Sequence, residues 1–178
     1  MPSLESKCQK IRLILSDVDG VLTDGGLIYD NQGIESKKFH SRDGFGIKLW
    51  QQAGYRFGFV TGRSSQIVRM RAAELDINIV RQSSLQKLAA VHEILESLQL
   101  TQENLCFIGD DLPDLPPIRY AALGVAVRDA VEEVLEAADY VTKCNGGFGA
   151  AREVIDLILK QQRRWQSVTQ KYFVPTGD

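Results

Sequence analysis

The chain has 178 residues, 44% of them hydrophobic, and a formal net charge of −2. That length suits one compact domain with a sizeable core, and the near-balanced charge, without a Lys/Arg run, excludes the electrostatic footprint of a nucleic-acid or anionic-membrane binder. The opening MPSLESKCQK has no apolar signal core, no run approaches the roughly 18–20 apolar residues of a membrane helix, and Cys8, Cys106 and Cys144 lack CxxC spacing, so a cytoplasmic protein without a disulfide framework or zinc site is expected.

In chain order, the first apolar run is IRLILS (11–16), which ends on DVDGVLTDGG and so places Asp17, Asp19 and Asp24 close together. Residues 25–40 carry two β-like arms around DNQG, a hairpin turn, and a helix begins near Asp43. RFGFV (56–60) runs into TGRSS, and INIV (77–80) precedes an amphipathic segment over 84–98. The apolar face of that segment reads as Leu85, Leu88, Ala89, His92, Leu95 and Gln99, with Ile94 and Leu98 at its margin. NLCFIG (104–109) leads into GDDLPDLP, with Cys106 a core residue; LGVAV (123–127) and DYVT (139–142) follow. GGFGAAREV then opens a last helix over 149–164, whose Lys160, Arg163 and Arg164 suit the negative end of a helix dipole.

Six short strands alternating with helices predict an α/β fold, a mostly parallel, doubly wound sheet with helices on both faces. Residues 1–165 form a single domain with a hairpin flap at about 25–40, and 166–178 form a C-terminal tail. His40 and His92 read as packing residues, and Phe45, Trp50, Tyr172 and Phe173 as core or interface.

In an open parallel sheet, ligands bind outside the carboxyl ends of the strands. Asp17 and Asp19, Thr61, Lys87, and Asp110 with Asp111 all fall at such ends or at a helix start. Clustered carboxylates repel one another and resist desolvation, so they call for a cation, and an oxygen-only donor set points to a hard one such as Mg²⁺. Residues 17 and 19, two apart on an extended segment, point the same way, and Gly20 permits a sharp turn. Lys87 in a helix's first turn opposes the macrodipole and so wants an anionic partner. Thr61 offers a hydroxyl and Gly62 lets backbone N–H groups approach a phosphoryl group. Taken singly, each motif has a plain structural reading: a turn and cap for D-x-D-G, a strand end for Thr61, a surface lysine, a loop for G-D-D. The ordered set D-x-D-G, T-G, K, G-D-D-x-x-D carries more than any member.

These motifs resemble the haloacid dehalogenase superfamily of phosphotransferases, over nearly the whole chain. The resemblance implies a Rossmann-like fold in which Asp17 is the nucleophile and Asp19 the acid that protonates the leaving alkoxide and then activates water. It further implies that Thr61 and Lys87 bind the phosphoryl oxygens, and that Mg²⁺ is held by the Asp17 carboxylate, the Asp19 backbone carbonyl and Asp110, supported by Asp111. The intervals from Asp19 to Thr61 and from Thr61 to Lys87 leave no room for a cap domain. DVDGVLTDG, FHSRDGFGIK, TGR, GDDLPDLP and GGFGAAREV resemble one capless group, the phosphatases of 3-deoxy-D-manno-octulosonate 8-phosphate in lipopolysaccharide precursor synthesis, with phosphatases of nine-carbon, sialic-acid-type 9-phosphates as the alternative. Membership implies a homotetramer in which hairpin flaps line neighbouring active sites. Arg42 either pairs with the sugar carboxylate through its bidentate guanidinium or anchors the helix start through Asp43. A receiver signalling domain also combines acids, Mg²⁺, Thr and Lys, but there the Lys comes last. An EF-hand loop from Asp17 fails because Val21 and Ile28 occupy ligand positions.

Overall fold

A computed structural model describes residues 3–173. Six parallel strands, β1 (Leu13–Ser16), β4 (Arg56–Val60), β5 (Ile79–Arg81), β6 (Leu105–Gly109), β7 (Leu123–Ala126) and β8 (Tyr140–Val141), form one sheet in the order β5-β4-β1-β6-β7-β8. Between β1 and β4 lies an antiparallel pair, β2 (Ile28–Tyr29) and β3 (Glu35–Ser36), the expected hairpin. Its turn is closed by Asp30, whose Oδ1 accepts the N–H of Gln32 and of Ile34, both at 2.8 Å.

Helix placement follows from the handedness of the crossovers. After α1 (Leu4–Gln9) and β1 the chain moves outward through α2 (Ser41–Gln52) to β4 and through α3 (Gln66–Glu74) to β5. It then returns past β1 through α4 (Lys87–Ser97) to β6, and continues through α5 (Leu115–Tyr120) and α6 (Glu132–Ala137) to β7 and β8. Reversing direction places the second set of helices on the opposite face. The reversal falls between β1 and β6, the crevice where doubly wound sheets bind ligands.

Every residue of β1 is buried, and Trp50, Phe59 and Phe107 are among the largest fully buried side chains. Each such side chain contributes about 1.5–3 kcal/mol of burial. Trp50 keeps its indole N–H satisfied on the Arg56 carbonyl at 2.8 Å. His40 does not simply pack: its Nδ1 accepts the Arg42 N–H and caps α2.

Two expectations are corrected. The buried face of α4 is Lys87, Ala90, Val91, Ile94 and Leu95, while Leu85 lies outside the helix and is 86% exposed. The last long helix, α7 (Ala150–Gln161), stops before Arg163, and a further helix, α8 (Trp165–Thr169), then packs on α2 and α7 through the stretch read as an aperiodic tail, burying Val168 and Thr169. Residues 174–178 of that tail lie outside the described residues. Among the described residues no helix is long and apolar enough to cross a membrane.

Candidate active site

The site starts where β1 runs out. The Asp17 N–H still bonds the Ile108 carbonyl at 3.0 Å, which sets the end of β1 beside the end of β6 and brings Asp17 near Asp110. The chain then folds into a tight turn in which the N–H groups of Leu22 and Thr23 both bond the Val18 carbonyl, and Gly20 has φ +95°. That backbone state is the left-handed region a side chain resists.

Asp17 and Lys87 are both more than nine-tenths buried. Lys87 Nζ lies 2.9 Å from Asp17 Oδ2 and 2.7 Å from Asp114 Oδ1, which supplies the anionic partner that its position at the start of α4 requires. Asp114 is fully buried, and its second oxygen accepts the N–H groups of Asp110 and Asp111 at 3.1 and 3.3 Å. Its hydrogen-bonding capacity is spent on the protein. Asp17 Oδ1 and Asp110 Oδ1 differ: both are buried and neither has a partner.

The carboxylates of Asp17, Asp110 and Asp114 each bring one oxygen within 4.8 Å of the others. One lysine cannot neutralise three acids. Burial, then the neighbouring carboxylates, push Asp17 up to about 6 and Asp110 up to about 8. Burial alone would lower Lys87, but Asp17 and Asp114 more than reverse this and hold it above its ordinary value. The residues therefore fit a divalent cation: two orphaned oxygens on adjacent loops, uncompensated negative charge, and hard donors of the type Mg²⁺ takes. Asp17 and Asp110 are the side chains free to hold it.

Asp19 faces the other way. The strand ends at Ser16, so residues 17 to 19 do not continue as an extended segment, and the Asp19 carboxylate turns toward the hairpin. It pairs with Lys37, whose side chain is almost wholly buried, and lies 3.6 Å from Arg63 Nε. Glu35 joins the group, 3.2 Å from Lys37 and 3.1 Å from Arg63, and accepts the Ser65 hydroxyl at 2.6 Å. Arg63 also donates to the Tyr29 hydroxyl at 2.6 Å. This ionic knot pins the hairpin to the loop after β4.

Asp17, Asp19, Thr61, Gly62, Lys87, Asp110 and Asp111 line one cleft of about 200 Å³, together with Arg63, Leu85 and Asp114. Two sequence assignments change within this geometry. Asp111 is exposed and outside the carboxylate cluster; its Oδ1 accepts the Leu112 N–H at 2.8 Å and caps a 3-10 turn, while Asp114 takes the place in the cluster. Arg42 is not in the cleft. It lines a separate groove with Cys144, Gly149 and Arg152, because α2 packs on α7 and turns the next residue, Asp43, inward to accept the Arg152 N–H at 2.8 Å. Sequence reasoning gave no role to Asp114, Lys37 or Glu35. Asp114 closes the G-D-D-x-x-D pattern, and Glu35 and Lys37 sit two apart on one hairpin arm, so both signals were in the sequence.

Residues 65–154 match the family model described as haloacid dehalogenase-like hydrolase. The chain is 43% identical over 157 residues to the 3-deoxy-D-manno-octulosonate 8-phosphate phosphatase KdsC of Escherichia coli (strain K12), covering 88% of this chain and 84% of that protein. It superposes with a TM-score of 0.94 on the crystal structure of a probable YrbI family phosphatase from Pseudomonas syringae, 41% identical, covering 96% and 97% of the two chains. With the 3-deoxy-D-manno-octulosonate 8-phosphate phosphatase of Moraxella catarrhalis, solved in complex with magnesium ion, phosphate ion and KDO, the TM-score is 0.92 at 39% identity, covering 94% and 97%. A shared architecture, near-complete coverage and identity well above the level at which folds alone are shared lead to one assignment: the chain belongs to the haloacid dehalogenase-like hydrolase family.

Proposed function

We propose that this protein is a Mg²⁺-dependent phosphomonoester hydrolase that releases phosphate from 3-deoxy-D-manno-octulosonate 8-phosphate through an aspartyl-phosphate, in the cytoplasm. The observation that carries the reading is Asp17: a buried carboxylate with one oxygen held on Lys87 and the other unpartnered at the cleft, beside Asp110. The similarity to relatives that act on this substrate supplies its identity.

In the first half-reaction an Asp17 oxygen attacks phosphorus as the bond to the sugar oxygen breaks, and Asp19 gives that oxygen its proton. In the second, Asp19 takes a proton from water, whose oxygen displaces the Asp17 carboxylate and frees phosphate. Lys37 and Arg63 hold Asp19 in place between the two steps. Thr61, Gly62 and Lys87 surround the phosphoryl oxygens, where positioned charge does most of the catalytic work. Mg²⁺ held by Asp17 and Asp110 supplies further stabilisation of the phosphoryl charge.

A cleft of about 200 Å³ takes a phosphoryl group but falls below the ~300–1,000 Å³ of pockets that enclose a whole ligand. The sugar therefore projects outward, toward a flap whose Leu27, Ile28, Tyr29 and Ile34 are each more than half exposed. Such a cluster of exposed apolar side chains suits an interface. A homotetramer in which flaps cover neighbouring clefts satisfies both needs.

The test measures Mg²⁺-dependent phosphate release over a panel of eight- and nine-carbon sugar-acid phosphates and simple hexose phosphates, with Asp17→Asn as control. We expect preference for the eight-carbon acid and background release from Asp17→Asn. Equal rates on hexose phosphates would remove the substrate assignment, and an active Asp17→Asn would remove the mechanism.

A further inference from the structure

The GGFG stretch before α7 is not used by the chemistry above, yet it lies directly on the catalytic turn. A side chain at Gly146 would overlap the Gly20 carbonyl, and the Gly147 N–H bonds the Val21 carbonyl at 2.9 Å. Gly20 in turn is pressed against Asp110, so that a Cβ there would overlap the Asp110 carboxylate. The loop after β7 closes the circuit from behind. Its Val131 N–H bonds the Asp110 carbonyl at 2.9 Å, and its Asp129 Oδ1 accepts the Gly146 N–H at 2.8 Å. Residues 20, 110, 131, 129 and 146 thus form a closed ring of contacts, and the two loops that carry Asp17 and Asp110 are both members of it.

We propose that Asp129 is a positioning residue for the cation site: by tying Gly146 to the loop after β7, whose Val131 N–H bonds the Asp110 carbonyl, it sets the spacing between the Asp17–Gly20 turn and Asp110. The inference rests on the reading of Asp17 and Asp110 as cation ligands. Asp129 is itself exposed and lies at the surface, so it contributes little to the core. Its effect is on distance. If the 129–146 bond is lost, the glycine loop keeps its Gly147–Val21 bond to the turn but loses its tie to the loop after β7, so the turn that presents Asp17 can drift from Asp110. Groups behind the ligands of a metal site are commonly worth 10–100-fold in affinity or activity.

The test is Mn²⁺ binding to the full chain, followed by the EPR signal of the free ion, for wild type, Asp129→Ala, Asp129→Asn and Gly146→Ala. It is read together with metal-free melting and hydrogen exchange at residues 20–23. Asp129→Ala is expected to weaken Mn²⁺ about tenfold, to speed exchange at residues 20–23 and to leave the metal-free Tm nearly unchanged. Asp129→Asn retains an acceptor oxygen and should recover most of the affinity, and Gly146→Ala should lose more than Asp129→Ala. Wild-type Mn²⁺ affinity in Asp129→Ala, an Asp129→Asn variant as impaired as Asp129→Ala, or an Asp129→Ala that does not fold would each overturn the inference. A wild type that binds no Mn²⁺ would instead remove the cation site itself, and the proposed function with it.

Discussion

Replacing Lys87 by methionine separates charge from packing, since the methylene stem stays and the ammonium goes. In the metal-free protein this leaves Asp17, Asp110 and Asp114 together without their shared cation. Removing one partner of a buried pair costs about 3–5 kcal/mol, because the other charge stays buried. At ~2–4 °C per kcal/mol for a domain of this size, Tm should fall by roughly 6–20 °C at pH 8 in EDTA. The pH dependence fixes the cause. Asp17 and Asp110 have folded-state values of about 6 and 8, raised by burial and then by neighbouring carboxylates, and Lys87 acts to lower both. An acid whose pKa is raised on folding destabilises the fold above its folded pKa, and that cost fades as pH falls toward the unfolded value near 3.8. Without Lys87 both values climb further, so the deficit of Lys87→Met should shrink from pH 8 to pH 5.5. Denaturant titration at the two pH values reads the difference. A deficit below about 1 kcal/mol at pH 8, or one that grows in acid, would refute the account of a lysine that neutralises a carboxylate cluster.

Two further outcomes follow from packing. At Gly58 of β4 a Cβ would meet Ile79 Cγ2 at 2.6 Å and Leu15 Cδ2 at 2.7 Å, so Gly58→Ala should cost about 1–3 kcal/mol by overpacking while leaving phosphate release at low temperature intact; an unchanged melting curve contradicts it. Ile34→Asp places a charge on the exposed hairpin, and light scattering should then show a smaller species whose activity is lost on dilution. A variant that keeps the wild-type mass and activity counts against flap-mediated assembly.

The strands were legible because each is centred on a short apolar run, and β1, β4, β6 and β8 stop at Asp17, Thr61, Asp110 and Thr142; β5 is shifted from INIV to Ile79–Arg81. The face of α4 was misread for a physical reason. Lys87 is polar by type yet buried, because Asp17 and Asp114 stabilise it, and Leu85 is apolar yet exposed at the cleft mouth. A hydrophobic pattern counts the two residues the wrong way round, and function overrides patterning where the helix meets the site. The stretch over 165–172 was missed for another reason: α8 is a short helix whose buried residues, Val168 and Thr169, are too few to show a period.

That Asp17, Asp19, Thr61 and Asp110 line one cleft was legible from strand ends, and Lys87 from its helix start, but which oxygen each acid offers was not. Asp110, Asp111 and Asp114 read alike in GDDLPDLP, and only the hydrogen-bond inventory separates them. Asp114 is saturated by Lys87 and two backbone N–H groups, Asp111 is spent on a cap, and Asp110 keeps a buried oxygen without a partner. The same inventory splits Asp17 from Asp19, the first facing the carboxylate cluster and the second facing Lys37 and Arg63. Two acids two residues apart thus sit in opposite electrostatic surroundings, one crowded by carboxylates and one flanked by cations. The cations beside Asp19 come from the hairpin and the loop after β4, so the hairpin supplies part of the charge that distinguishes the two aspartates.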